Sequence, residues 1–158
     1  MYTLVLDHIV VTVDDLNQAI EDYKSLGFRV AYGGKHASGT THNALIPFSD
    51  GTYIELIALT GQEKNNEDAE DFSSFFQFGM GAAGYALFTD DLDEDAEDMK
   101  SRGVTITPIR AGSRELPDGR VIKWRTAHIN NNIFPLFIED ETPRNWRVSD
   151  AERRTYHD

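Results

Sequence analysis

Ile9-Val10-Val11-Thr12-Val13-Asp14-Asp15-Leu16 returns 76 residues later as Tyr85-Ala86-Leu87-Phe88-Thr89-Asp90-Asp91-Leu92. The same offset sets Ile20 on Ala96, Tyr23 on Met99 and Gly27 on Gly103. It also sets Phe28-Arg29-Val30 on Val104-Thr105-Ile106. Classes of residue match where identities do not, and a fixed-offset match of this kind marks an internal repeat.

Each copy has a physical reading. Residues 4–13 are rich in β-branched and apolar side chains and end at two aspartates, which predicts a strand. An aspartate at that point caps a following helix by accepting its free N–H groups. Leu16, Ala19, Ile20, Tyr23 and Leu26 then form one apolar helical stripe, and Gly27 suits the left-handed turn that closes a helix. The second copy repeats the stripe through Leu92, Ala96 and Met99 and ends at Gly103.

Further strands are predicted over Phe28–Tyr32, Thr41–Pro47 and Tyr53–Leu59, with Asp50-Gly51 as the hairpin between the last two. The second half offers Val104–Ile109, Ser113–Leu116 with Val121–His128, and Phe134–Glu139, with Asp118-Gly119 as its hairpin. The order is strand, helix, then three or four strands, twice. That divides the chain into a first βαβββ module (1–60), a second (82–143) and a C-terminal tail (144–158). Between the modules, 61–81 is an acidic linker followed by Phe72, Phe75, Phe76 and Phe78, which suit a short helix packed on the core.

Composition narrows the function classes. The chain has 158 residues, 40% of them apolar, enough for one domain or two small modules sharing a core. No run of 18 apolar residues occurs, and the N-terminus lacks a basic segment and cleavage site, so a cytoplasmic protein without a membrane span is expected. With no cysteine there is no disulfide, thiolate ligand or thiol nucleophile. Fifteen basic against 27 acidic residues give a formal charge of −12, which argues against nucleic acid as a partner. The acidic runs Glu63–Asp71 and Asp90–Asp98 read as a solvated linker and a solvated helix face.

Several stretches taken together carry a resemblance. They are Leu6-Asp7-His8-Ile9-Val10-Val11, Leu26-Gly27-Phe28, His42-Asn43-Ala44-Leu45-Ile46-Pro47-Phe48 and Tyr53-Ile54-Glu55-Leu56-Ile57. The second half adds Pro117-Asp118-Gly119-Arg120, Trp124-Arg125 and Pro135-Leu136-Phe137-Ile138-Glu139. In order and spacing these resemble the vicinal oxygen chelate superfamily, in its glyoxalase-like branch, over roughly residues 4 to 143. The resemblance implies an α+β fold in which two βαβββ modules form a curved mixed sheet around a cleft for a small molecule. It also implies pairing into a homodimer. In catalytic members each module can give two ligands to a divalent metal, which stabilises charge developing on substrate oxygens. Others in the superfamily bind antibiotics without a metal.

Strand parity sorts the candidate site residues. Ile9, Val11 and Val13 suit the helix side, leaving His8 to the cleft; Ile54, Leu56 and Ala58 do likewise, leaving Tyr53, Glu55 and Ile57. His8 and Glu55 therefore match the first module's two ligand positions, and an imidazole with a carboxylate suits Zn, Ni, Mn or Fe. The second module offers Gly84 and Leu136 at the corresponding places, neither of which coordinates through its side chain. His42 is the preferred third ligand, because it lies in a run that carries the resemblance; His128 is the other candidate.

Two readings follow. One is a metal-dependent lyase, isomerase or dioxygenase with His8, Glu55 and His42 around the metal and Glu55 also accepting a proton. The other is a metal-free protein that binds or sequesters a small compound, with His42, Asn43, Arg125 and Trp124 among the contacts. His36, after Gly33-Gly34-Lys35, reads as part of an ordinary connection, and His157 as part of the tail.

Overall fold

The computed structural model describes residues 4–65, 72–129 and 135–148. Strand β1 (Val5–Thr12) leads into helix α1 (Leu16–Ser25), followed by β2 (Ala31–Lys35), β3 (Thr41–Pro47) and β4 (Tyr53–Leu59). A short 3-10 helix (Ser73–Phe78) joins these to β5 (Gly81–Phe88), α2 (Leu92–Ser101), β6 (Arg110–Glu115), β7 (Val121–His128) and β8 (Leu136–Asp140). A one-turn helix, α3 (Arg144–Arg147), follows. β5 and α2 start and stop at the same 76-residue offset from β1 and α1.

The repeat lies in the caps as well as the bounds. Asp15 accepts the N–H of Gln18 at 3.0 Å, and Asp91 accepts that of Glu94 at 2.9 Å. Gly27 and Gly103 take φ of 93° and 84°, and the next residues donate back to Tyr23 and Met99 at 3.1 and 3.0 Å. These are the left-handed closures expected of glycine after a helix.

In this α+β fold the eight strands of the described residues form one mixed sheet in the order β2-β3-β4-β1-β5-β8-β7-β6. β1 pairs parallel with β4, β5 parallel with β8, and β1 meets β5 antiparallel at the centre. The sheet curves until its two edge strands touch: His36 bridges Arg114, and Ala37 donates to Ser113 at 3.0 Å. The result is a nearly closed trough.

Two apolar layers clothe its outside. Leu16, Ala19 and Ile20 of α1 pack on Ala44, Ile46 and Leu56, and Leu92, Ala96 and Met99 of α2 pack on Ala127 and Phe137. Fully burying one such Leu or Ile contributes roughly 1.5–3 kcal/mol. A third layer, including Val10, Ile57, Ile122 and Ile138, lines the concave side.

Three segments differ from the sequence-based expectation. The second strand is Ala31–Lys35 rather than Phe28–Tyr32, because Phe28-Arg29-Val30 is spent returning from α1. Val104–Ile109 contains Pro108 and forms only one bridge, Ile106 to Ile129, so the ladder strand is Arg110–Glu115. Leu116 closes the Asp118-Gly119 hairpin, accepting from Gly119 at 2.9 Å. Phe134, His157 and part of the Glu63–Asp71 run lie outside the described residues. No helix among the described residues is long and apolar enough to cross a membrane.

Candidate functional site

The trough holds a buried polar knot on the first module's side. His8 of β1 is 3% exposed and Glu55 of β4 is 9% exposed, although both carry ionisable groups. Val10 sits beside Glu55 in the parallel ladder, so His8 lies one pleat away on the same face. His8 Nε2 is 3.3 Å from one Glu55 oxygen. The other oxygen accepts from Asn43 Nδ2 at 2.6 Å and lies 3.5 Å from His36 Nε2. Arg114 crosses from β6 to donate to the Asn43 carbonyl oxygen at 2.9 Å, and His36 Nδ1 meets the Thr41 hydroxyl at 2.8 Å.

A second set of charges backs this knot. Asp7 is fully buried, and its Oδ1 lies 2.6 Å from His8 Nδ1. Arg147 of α3 places two bonds on Asp7 (2.7 and 3.0 Å), two on Asp140 (2.7 and 3.0 Å) and one on the Tyr53 hydroxyl (2.7 Å). Those five bonds use every N–H of the guanidinium. Arg144 also bonds Asp7. Tyr53 stacks on His8, with ring centres 4.5 Å apart and planes 18° from parallel.

Electrostatics follow from these contacts. Burial alone would raise the Glu55 pKa, but hydrogen bonds from His36 and His8, then their charges, outweigh it and hold the carboxyl well below its ordinary value. Burial would lower the His8 pKa, yet hydrogen bonds to Asp7 and Glu55 and their charges raise it. Burial opposes ionisation of Asp7 too, and the Arg147 charge with hydrogen bonds from His8 and Arg147 overcomes it. Along the array the groups follow in the order guanidinium, carboxylate, imidazole, carboxylate.

Sequence reasoning assembled part of this set. His8, Glu55 and Asn43 come together, and Trp124 lines the same recess. His42 does not, because it neighbours Asn43 on one strand and points to the other face, with its ring 6.1 Å from Tyr32. Burial and the nearby Lys35 charge lower its pKa. Arg125 is excluded by the same parity, since Trp124 occupies the cleft face. Its guanidinium instead ties Asp93 of α2 (2.8 Å) to Glu139 of β8 (2.9 Å). His128 ends β7, where its backbone N–H bonds Thr107. His36, Arg114, Asp7 and Arg147 are the members sequence reasoning missed. Asp7 had a signal, a carboxylate next to a cleft histidine; Arg114 and Arg147 reach the site only through the curl of the sheet and the seating of α3.

Gly33 is what lets Arg114 in. A Cβ there would lie 1.8 Å from Arg114 Nη1 and 2.1 Å from Asn43 Oδ1. Among the described residues, the second module contributes no counterpart to the knot. Ala86 pairs with Leu136 as Val10 pairs with Glu55, so Leu136 takes the place of Glu55, and Gly84 takes that of His8.

The Glyoxalase-like domain profile matches residues 6–156. The chain belongs to the glyoxalase-like domain family. This places it in the vicinal oxygen chelate superfamily. Among solved structures, a hypothetical protein from Staphylococcus aureus superposes with a TM-score of 0.79 at 21% identity over 97% of this chain. This chain spans about two thirds of that protein's length, 65%. Methylmalonyl-CoA epimerase from Mycobacterium tuberculosis gives 0.61 at 22% identity, covering 90% of this chain and 91% of that one. A variant of the Streptomyces coelicolor epimerase, in complex with 2-nitronate-propionyl-CoA, gives 0.57 at 23%, covering 90% and 100%. At these identities the likeness speaks for the fold. No functionally curated protein matches the sequence.

The superfamily's metal can be tested against this glyoxalase-like site. Among the described residues, no three His, Cys, Asp or Glu side chains gather into a group able to hold a metal ion. The two imidazole Nε2 atoms approach different oxygens of one carboxylate, at 3.3 and 3.5 Å. The positions that would complete a ligand set are Gly84 and Leu136. As arranged, the residues do not fit a resident cation.

Proposed function

We propose that this glyoxalase-like protein binds a small oxygen-bearing molecule in its trough and handles a proton on it through His8 and Glu55, without a resident metal. One observation carries the reading: a buried imidazole held between two carboxylates, Asp7 at 2.6 Å and Glu55 at 3.3 Å. When protonated, an imidazole so held is a positive charge in a buried site, suited to stabilising an oxyanion and to donating a proton. Asp7 holds the ring by Nδ1, leaving Nε2 toward the cleft. Glu55, kept ionised, is the acceptor. Asn43 and His36 fix its orientation, and Trp124 walls the recess.

A metal-dependent lyase or isomerase with His8 and Glu55 as ligands has one observation in its favour. A carboxylate behind the far nitrogen of a histidine is the usual support of a metal-binding imidazole. The experiment separates the two. Protein treated with EDTA is incubated in D2O with malonyl half-thioesters and α-hydroxy ketones, and exchange at the carbon next to the carbonyl is followed by NMR. Exchange that survives EDTA and is lost in Glu55→Gln supports the proposal. Stoichiometric metal in purified protein, with exchange restored only by Zn, Ni, Mn or Fe, supports the metal reading. No exchange with any probe removes the proton-handling role.

A further inference from the structure

Outside the recess lies a second space of about 190 Å³, against about 30 Å³ for the recess itself. Leu45, Arg114 and Arg147 line both, so the two are adjoining parts of one cleft. The recess has room for little more than the reacting atoms of a ligand. Whatever else the ligand carries must occupy the outer chamber.

The chamber's walls have a definite chemistry. Leu45, Leu116, Pro117 and Trp146 supply apolar surface, and Arg114, Arg120 and Arg147 supply three guanidinium groups beside a single carboxylate, Asp118. Arg147 is consumed by Asp7, Asp140 and Tyr53. Arg114 stands at the junction with the recess, 3% exposed. Arg120 stands at the mouth, over the Trp146 ring at 5.3 Å and against Asp118 at 2.7 Å. Three of the four charged side chains that line the chamber are thus cations, in a chain of formal charge −12. Charges of one sign in a low-dielectric cleft concentrate ligands of the other. Size sets the body of the ligand: a cavity of about 150 Å³ accepts benzene.

We infer that the outer chamber binds a small organic anion, a carboxylate or phosphate on a single ring or short acyl body. The inference rests on the reading above that the reacting end enters the recess. The apolar body lies against Trp146 and Leu116, and the anionic group answers Arg114 and Arg120.

The test uses the whole protein and its two indole N–H signals, since the chain has two tryptophans. Trp124→Phe assigns them; if it misfolds, Trp146→Phe does so instead. Benzoate and phenyl phosphate are titrated against neutral benzamide. The expected result is a saturable shift of the Trp146 signal, with an anion at least tenfold tighter than benzamide and weakened by salt. Arg120→Gln weakens it about threefold or more, and Arg114→Lys likewise, with melting curves confirming that each variant folds. Which anion binds identifies the head group. Equal binding of benzoate, phenyl phosphate and benzamide, no shift at all, or affinity unchanged in both variants overturns the inference. Deuterium exchange is read in the same samples. Exchange lost with anion preference intact counts against proton handling alone, and the reverse counts against the chamber alone.

Discussion

The two halves of the trough are built on equivalent strands at one sequence offset, yet one is charged and the other apolar. Val10 beside Glu55 and Ala86 beside Leu136 occupy the same rung of the two parallel ladders. Around Glu55 gather two imidazoles and an amide; around Leu136 gather Ile138, Ile122 and Trp124. The difference teaches what each set of positions is for. The fold needs helix caps, apolar stripes and closing glycines in both halves, and these recur. Buried charge is tolerated only where it is fully paired. The first half has such partners for Asp7, His8 and Glu55, through Arg147, Arg144 and Asn43.

The sharpest way to break the contrast is to unpair the charges. Arg147→Met removes the buried cation that Asp7 and Asp140 share, leaving them only the more exposed Arg144, and a loss of about 3–5 kcal/mol is expected in urea unfolding. Leu136→Ala tests the apolar half. It opens a cavity and costs about 2–5 kcal/mol by the same measurement. If Arg147→Met cost less than Leu136→Ala, the charged half would owe its stability to apolar packing instead.

Gly33→Ala probes the bridge between the halves. Its new methyl group must displace Arg114 or Asn43, so about 1–3 kcal/mol is lost, and the Asn43 side-chain amide signals move in NMR spectra. Unchanged amide signals would show that Arg114 does not depend on the gap. Smallest is Arg125→Gln, which removes a partly exposed tie between α2 and β8. It should cost about 1 kcal/mol or less and leave ligand binding in the trough unaltered.

The pH dependence separates the charged half further. Asp7 and Glu55 are held below their ordinary values of 3.8 and 4.5, so the folded state binds fewer protons there than the unfolded chain. The stability they contribute is present above about pH 4.5 and is lost as pH falls through the folded values. His8 is held above 6.5, so its contribution is full below that pH and is lost as pH rises through its folded value. Urea unfolding between pH 3 and 9 should show both slopes, and Asp7→Asn should flatten the acid one. An unaltered acid slope in Asp7→Asn would assign it to other carboxylates.

Much of the architecture was legible because it depends on local rules. The aspartate caps, the 3.6-residue stripes and the Asp-Gly hairpins each announce themselves within a few residues. The cleft side of β1 and β4 was legible too, since alternation assigns His8 and Glu55 to one face. That rule, applied to neighbouring residues, also denies the cleft to His42 once Asn43 is in it, and to Arg125 once Trp124 is. Reading β2 three residues early hid His36, which sits just past the strand's true end.

The sequence alone determined the doubled strand–helix unit, the capped helices and the cleft-facing sides of His8 and Glu55, because each rests on short-range geometry; that the two belong to one site was implied by the family resemblance. Only the tertiary structure decided what surrounds that pair. His36 and Arg114 meet because the sheet curls until its edges touch. Arg147 reaches Asp7 across 140 positions because α3 folds back over the first strand. Nothing in local periodicity encodes such contacts; they depend on curvature and on long side chains finding buried charges to neutralise.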